Sequence, residues 1–224
     1  MNGADVVMPV VDLIGTLVWP VVVLTIFLVL RDPLKELIRN IKSLSVSAGG
    51  TDVTVAVNDA TTALTAAVAT KSGADATAAG VIANARNART AAGHAVQLLQ
   101  RADDKAPKRV LWVDDNPENN RFERAALEAL GVRLDLARST EEAVQRLGNA
   151  DAYSVIISDM SRPEGRTAGL TLLDWLRTHG IRTPCIIYAG SATPQQIAET
   201  KQHGGLDQTS SPTELVEKVA AALS

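Results

Sequence analysis

The chain has 224 residues, a formal net charge of −3 and a single cysteine, and 46% of its residues are hydrophobic while only 3% are aromatic. One cysteine excludes a disulfide-stabilised scaffold, and the apolar content excludes a wholly disordered protein. The slight negative charge argues against a dedicated nucleic-acid-binding protein, because such proteins carry clustered positive charge. The length allows about one to two ordinary domains.

The first long apolar segment predicts a membrane anchor at residues 1–31. Residues 13–30 carry no charge, and a stretch of about 18 apolar residues reaches the threshold for a helix that spans a bilayer. A cleaved signal peptide is the alternative, but no Lys or Arg precedes Arg31. Acidic residues precede the span and basic residues follow it, so the positive-inside rule places the N-terminus outside and the rest in the cytoplasm. We therefore expect a single-pass protein of a bacterial-type inner membrane.

The basic segment that follows, residues 32–46, predicts an amphipathic juxtamembrane helix. Leu34, Leu37, Ile38 and Ile41 recur at helical spacing, and Lys and Arg residues lie between them. Such a helix lies on the inner surface of a membrane, where anionic lipids attract basic side chains. The alternative is that the spanning helix continues into water.

Residues 47–106 predict a short strand followed by a helical spacer. Valines alternate with Thr and Ala at residues 53–57, which is the period of a strand, and Gly49 and Gly50 precede them. The rest of the segment is dominated by Ala and Thr, a composition that favours helix but offers little apolar surface for a core. A helix that contacts another subunit and a mostly disordered segment are the alternatives.

The C-terminal segment, residues 107–224, predicts an α/β domain. Short β-branched runs alternate with helical patterns, as expected for parallel strands joined by helices. Three predicted helices begin after capping residues, Ser139, Thr193 and Ser211. Five strand and helix units make a complete, doubly wound parallel sheet. The predicted strands lie at residues 109–113, 133–137, 154–158, 185–189 and near 206.

Three aspartates follow two of the predicted strands. Asp114 and Asp115 come directly after the first strand, and Asp159 comes directly after the third. The carboxyl ends of central parallel strands meet in one crevice, so we expect the three carboxylates to lie together. Carboxylates in one site repel one another, and a hard divalent cation relieves that repulsion. This pattern predicts a Mg²⁺ site; the alternative is that these aspartates only cap turns.

Residues 107–224 resemble the receiver domains of two-component response regulators. The resemblance rests on five segments in order: VLWVDDNPENN, VIISDM, GLTLLDWLR, PCIIYAG and SSPTELVEKV. It implies a flavodoxin-like fold of five parallel strands in which Asp159 is the phospho-acceptor. It further implies that Asp114, Asp115 and Asp159 bind Mg²⁺ together with the backbone carbonyl of Ser161, and that a histidine kinase is a partner.

The sequence departs from this family at the positions that usually contact the phosphoryl group. Receiver domains usually end the fourth strand with Thr or Ser, where this chain has Ala189, and place Lys before the last helix, where it has Ser211. The usual aromatic switch residue is replaced by Gln208. Ser191 offers a hydroxyl, but it lies two positions after Ala189 and is a weak replacement. We therefore expect a degenerate receiver in which phosphorylation of Asp159 is impaired.

Arg162 and Arg166 lie in the loop after Asp159 and offer a replacement for the missing lysine. If this loop folds back over the acidic pocket, the guanidinium groups would neutralise the carboxylates or bind an anionic ligand. The alternative is an ordinary solvated loop.

These features favour a non-enzymatic signalling protein. The sequence contains no Walker loop, glycine-rich dinucleotide fingerprint or Ser-His-Asp constellation. We expect a membrane-anchored degenerate receiver that binds Mg²⁺ and acts through a protein partner or self-association, without nucleic acid. The last predicted helix ends at the C-terminus of the sequence, so we expect no output domain there. Two alternatives stay open: a working phospho-acceptor receiver, and a membrane sensor whose altered pocket binds a nucleotide-like anion.

Overall fold

A parallel β-sheet forms the centre of the compact unit that begins at Val53, and helices cover both of its faces. The structure, a computed structural model, describes residues 51–72, 77–101, 108–148 and 153–224. The predicted membrane anchor and the predicted amphipathic helix lie outside these described residues. Within the described ranges, no helix is both long enough and apolar enough to cross a membrane.

The secondary structure follows the chain in a regular alternation after two initial helices. In chain order the elements are α1 (Thr51–Ser72), α2 (Ala78–Arg101), β1 (Arg109–Val113), a 3₁₀ turn (Pro117–Asn120), α3 (Arg121–Ala129), β2 (Arg133–Ala137), α4 (Thr140–Arg146), β3 (Val155–Ser158), α5 (Ala168–Thr178), β4 (Cys185–Tyr188), α6 (Pro194–Gln202), β5 (Asp207–Thr209) and α7 (Pro212–Leu223).

The five strands form one parallel sheet in the order β2-β1-β3-β4-β5. Trp112 in β1 lies opposite Leu136 of β2 on one side and Ile157 of β3 on the other. The order confirms the doubly wound sheet that the sequence predicts. Because the winding reverses beside β1, a crevice opens at the carboxyl ends of β1 and β3, where ligand sites form in sheets of this kind.

Helices on both faces explain why the central strands consist mainly of apolar residues. Strands β3 and β4 are fully buried, and successive residues of β1 face opposite sides of the sheet. Val110 and Trp112 belong to a first core, formed with α1, α2, α3 and α7. Leu111 and Val113 belong to a second core, formed mainly with α4 and α5.

The predicted capping residues begin their helices. Ser139, Thr193 and Ser211 each accept a hydrogen bond from the backbone N–H three residues later. An N-cap of this kind stabilises a helix by about 1 kcal/mol. These caps therefore explain where α4, α6 and α7 begin.

The strand predicted at residues 53–57 is wrong, because these residues form the first turns of α1. Alternating valines favour a strand only where a neighbouring strand can pair with them. Here the Ala-rich sequence that follows favours helix, and Ala60 and Leu64 are fully buried in the first core. Tertiary packing of one helical face therefore outweighs the short β pattern.

The Ala-rich segment is also more than a spacer. Helix α2 packs along α7, and Ala88, Ala92 and Ala95 on α2 are buried in the first core. The prediction that this segment offers too little apolar surface for a core is wrong, because alanine side chains are small enough to let two helices approach closely. Residues from Val53 to the C-terminus consequently belong to one compact unit.

Candidate functional site

The three predicted aspartates form one cluster at the carboxyl end of the sheet. Carboxylate oxygens of Asp114, Asp115 and Asp159 all lie within 4.8 Å of one another. The sheet sets these positions, because the N–H of Asp159 donates to the Val113 carbonyl at 2.9 Å and the N–H of Asp114 donates to the Ala137 carbonyl at 2.9 Å. Hydrogen bonding between neighbouring strands thus continues into the acidic residues.

Two of the three carboxylates are held by local hydrogen bonds. Asp114 is buried, and its oxygens accept from the Asn116 N–H at 2.8 Å and from the Asn120 side-chain amide at 2.6 Å. The Oδ1 atom of Asp159 accepts from the Met160 N–H at 2.8 Å. These contacts orient the carboxylates before any ligand binds.

The surroundings of Asp159 change its ionisation. Burial and the neighbouring charge of Asp114 raise the pKa of Asp159, although the Met160 N–H and the charge of Arg162 act in the opposite direction. A cluster of carboxylate oxygens is the donor set that Mg²⁺ prefers, and a cation would remove the repulsion that raises this pKa. The residues present therefore fit a Mg²⁺ ion.

The acidic cluster borders a cavity of about 400 Å³. Its other walls are mostly polar, and Ser161 and Ala189 from the sequence predictions are among them. The remaining lining residues are Asn116, Asn119, Asn120, Tyr188, Gly190 and Lys71. Of the described residues that line this cavity, Lys71 alone carries a positive charge. The cavity, which we call the acidic cavity, therefore combines carboxylates with one ammonium group.

Lys71 reaches the acidic cavity from the last turn of α1 and was not among the predicted site residues. Its Nζ lies 3.3 Å from Oε1 of Glu123 and 4.0 Å from the centre of the Tyr188 ring. The Tyr188 hydroxyl donates to the same Glu123 oxygen at 2.7 Å. Burial and the charge of Glu123 raise the pKa of Tyr188, so this hydroxyl keeps its proton.

The family of the chain follows from a sequence comparison. A family model for the response regulator receiver domain matches residues 110–221. The chain belongs to this family. The matched segment contains all three clustered aspartates and the whole sheet except Arg109, whereas Lys71 on α1 lies outside it.

Solved receiver structures resemble the matched half of the chain. A receiver domain of the Francisella response regulator 1452 is 30% identical, covers 51% of this chain and 95% of its own, and has a TM-score of 0.46. A two-component response regulator from Clostridium difficile is 26% identical, and the match covers 51% of this chain and 94% of that protein with a TM-score of 0.46. The chemotaxis response regulator CheY4 of Vibrio cholerae is 23% identical, and the match covers 51% of this chain and 98% of that protein with a TM-score of 0.45. No curated protein matches the chain.

Arg162 of the receiver domain does not line the acidic cavity, although its charge acts on the nearby Asp159. Its side chain is fully buried, and all five of its N–H donors are used within the loop and its neighbours. The acceptors are the Ser158 hydroxyl, the carbonyls of Asp159 and Ala168, the Thr140 hydroxyl and the Glu164 carboxylate. Arg162 therefore holds the β3–α5 loop together.

Arg166 also stays away from the acidic cavity. Its side chain is exposed, and its backbone carbonyl accepts from the Ser161 hydroxyl at 3.0 Å. Neither arginine predicted to bind an anion lines the cavity, and the donors of Arg162 are already occupied. In this arrangement neither arginine is placed to bind an anion inside the acidic cavity.

The other departures from the family pattern have structural roles. Ser211 caps α7, and the Ser191 hydroxyl donates to the Gln196 side chain at 3.2 Å. Neither residue lines the acidic cavity. Gln208 is buried, accepts from the Thr200 hydroxyl at 2.8 Å and donates to the Ser191 carbonyl at 2.9 Å. The position usually held by an aromatic switch residue is thus occupied by an amide that ties β5 to the loop after β4.

Proposed function

We propose that this protein is a membrane-anchored receiver that binds Mg²⁺ at Asp114, Asp115 and Asp159 and accepts a phosphoryl group on Asp159. The observation that carries the proposal is the carboxylate cluster, whose oxygens lie within 4.8 Å of one another beside a cavity that also contains Lys71. Because position 211 is Ser where the family usually has Lys, the sequence alone predicts impaired phosphorylation. A lysine ammonium in the same cavity favours a working acceptor.

The chemistry of transfer assigns a role to each Asp159 oxygen. The Met160 N–H donates to Oδ1, and we assign the attack on phosphorus to Oδ2. With an acyl phosphate donor, the new bond joins Oδ2 to phosphorus, and the bond from phosphorus to the acyl oxygen breaks. The carboxylate of the donor leaves with the electron pair. Bound Mg²⁺ would neutralise the clustered carboxylates and the phosphoryl oxygens, which is the main requirement of phosphoryl transfer.

The backbone around Asp159 supports this role by restricting its position. Arg162 donates to the Asp159 carbonyl at 2.7 Å, and the Asp159 N–H is bound to β1. Because the N–H and the carbonyl of Asp159 are both hydrogen-bonded, this residue loses little conformational entropy when it reacts. The chain itself contributes positioning and charge, and we propose that it is not an enzyme acting on a separate substrate.

The membrane location belongs to the proposal and rests on the sequence. The uncharged residues 13–30 and the basic residues after them support a single span with the receiver in the cytoplasm. Receiver domains interact with histidine kinases or other proteins, and a shared membrane raises the effective concentration of such a partner. Alkaline extraction of membranes tests the anchor: the full chain should stay in the pellet, and a chain that begins at residue 47 should not.

Phosphorylation is tested on the full chain in detergent with acetyl phosphate and Mg²⁺, and the product is read as intact mass. We expect a phosphoryl adduct on the natural chain and on Asp174→Asn, which removes an exposed carboxylate from α5. We expect no adduct on Asp159→Asn. Equal labelling of the natural chain and Asp159→Asn would refute Asp159 as the acceptor.

A receiver that binds Mg²⁺ and a protein partner without phosphorylation is the second candidate. Two observations favour it: Ala189 brings no hydroxyl to the acidic cavity, and the Ser211 hydroxyl is used as a helix cap. The same mass measurement separates the candidates. A chain that Mg²⁺ stabilises against heat but that never gains a phosphoryl group would be a binding module.

A further inference from the structure

We infer that Lys71 on α1 supplies the positive charge that this receiver lacks at position 211 and that it contacts the phosphoryl group on Asp159. The inference rests on the proposed phosphorylation of Asp159. It assigns a binding role to a residue outside the segment that matches the receiver family, residues 110–221. Helix α1 would then be part of the phosphoryl site.

The position of Lys71 is the first support. Lys71 lines the acidic cavity together with Asp159, and it also lines a neighbouring cavity of about 290 Å³ bordered by Ser211 and Pro212. Its side chain therefore lies between the loop before α7 and the acidic cluster. An ammonium group placed there compensates for the lysine that the family usually carries at the position of Ser211.

The burial pattern of α1 places Lys71 at the end of the helical face that contacts the first core. Ala60, Leu64 and Ala67 are at most 1% exposed, and Lys71 continues this series at spacings of four, three and four residues. Residues at such spacings share one face of a helix. Lys71 is therefore the polar end of the face that packs on the first core, although its side chain remains about one-third exposed.

The contacts of the ammonium group leave it able to bind an anion. Its Nζ is held at 3.3 Å by Glu123, which is 1% exposed, and at 4.0 Å from the ring centre of Tyr188. A lysine ammonium has three N–H donors, and a single carboxylate oxygen accepts one of them. Donors remain for a phosphoryl oxygen, while Glu123 and Tyr188 keep the group at the cavity wall.

The test compares Lys71→Gln with the natural full chain in detergent. Glutamine removes the positive charge and keeps an unbranched polar side chain that is one atom shorter. Arg89→Gln, which removes an exposed charge from α2, is the matched control. Each protein receives acetyl phosphate and Mg²⁺, and the rate of adduct formation and the lifetime of the adduct are measured by intact mass. Mg²⁺ affinity is measured separately by calorimetry.

We expect the level of adduct to fall roughly 10- to 100-fold in Lys71→Gln, the loss that follows removal of a charged hydrogen bond. Arg89→Gln should behave as the natural chain. Mg²⁺ affinity should stay the same or increase in Lys71→Gln, because a positive charge has left the site. A variant that merely misfolds would lose Mg²⁺ binding as well.

A relocated lysine provides the decisive comparison. Adding Ser211→Lys to Lys71→Gln returns a lysine to its usual place in the family and should restore the adduct. Ser211→Lys alone serves as the stability control, because it also removes the cap of α7. Unchanged labelling in Lys71→Gln, or no recovery in the double variant, would overturn the inference and leave the proposed function intact. No adduct on the natural chain would overturn both.

Discussion

The guanidinium of Arg162 donates to the backbone carbonyl of Asp159 at 2.7 Å. The same nitrogen donates to the Ser158 hydroxyl at 2.8 Å, so one arginine bridges the end of β3 and the first residue of the following loop. Arg162 therefore sets the position of the Asp159 carboxylate through its backbone and not through contact with the carboxylate itself.

Replacement of Arg162 tests this role. Arg162→Met keeps the apolar stem of the side chain but removes every donor, leaving the buried carbonyl of Ala168 and the Ser158 hydroxyl without these partners. We expect the free energy of unfolding to fall by about 3 kcal/mol. Urea denaturation measures it. Arg166→Met, at an exposed position, should change stability by less than about 0.5 kcal/mol. Equal stabilities for the two variants would contradict this role of Arg162 in holding the β3–α5 loop.

Gly169 allows α5 to approach the β3–α5 loop closely. A Cβ atom at this position would lie 2.8 Å from the Asp159 carbonyl oxygen and 3.0 Å from the Met160 Cα. Gly169→Ala should therefore displace this backbone, weaken Mg²⁺ binding and cost about 1 to 3 kcal/mol of stability. Gly165→Ala is the control, because a Cβ there meets nothing within 4 Å. Denaturation and Mg²⁺ titration of both variants check the prediction, and an unaffected Gly169→Ala would refute it.

Removing one carboxylate should have opposite effects with and without metal. The charge of Asp115 contributes to the raised pKa of Asp159, so Asp115→Asn relieves repulsion in the empty cluster. In EDTA we expect this variant to be as stable as the natural chain or more stable. A saturating concentration of Mg²⁺, about 100 times the dissociation constant, should stabilise the natural chain by about 2.7 kcal/mol and the variant by much less. Thermal unfolding under both conditions measures the difference, and an undiminished Mg²⁺ response would exclude Asp115 as a ligand.

Stability should also depend on the carboxylate of Asp207. Burial acts to raise its pKa, but hydrogen bonds from Lys218 at 2.7 Å and the Gln208 N–H at 2.9 Å outweigh burial and lower the pKa. The stabilisation is therefore complete above the unfolded value, near pH 4, and disappears as pH falls through the lower folded value. Lys218→Met should lower stability at pH 7 by about 1 kcal/mol and have little effect near pH 2. Urea denaturation across this range tests the prediction, and a loss independent of pH would contradict it.

The sheet and the acidic cluster could be predicted because both depend on short-range patterns. Apolar runs identify strands, and parallel topology brings the residues after β1 and β3 together. Asp114, Asp115 and Asp159 accordingly lie where the sequence places them, whereas their ligation of Mg²⁺ stays a prediction.

The roles of Lys71 and Arg162 could not be predicted because they depend on how distant segments pack. An Ala-rich helix gives little sign that it docks on the sheet, although a lysine in register with Ala60, Leu64 and Ala67 was the available signal. Arg162 lies in a loop of polar residues, and only the folded structure shows that its side chain is buried. The valines at 53–57 were misassigned because their alternation is too short to outweigh helix packing.

Beryllofluoride binding tests the central claim most directly, because this mimic of a phosphoryl group does not depend on the lifetime of an aspartyl phosphate. Thermal unfolding of the full chain would be followed with Mg²⁺, with and without beryllofluoride, for the natural chain and Asp159→Asn. We predict stabilisation of the natural chain that requires both Mg²⁺ and Asp159. No stabilisation, or the same stabilisation in Asp159→Asn, would contradict a phosphoryl site at Asp159.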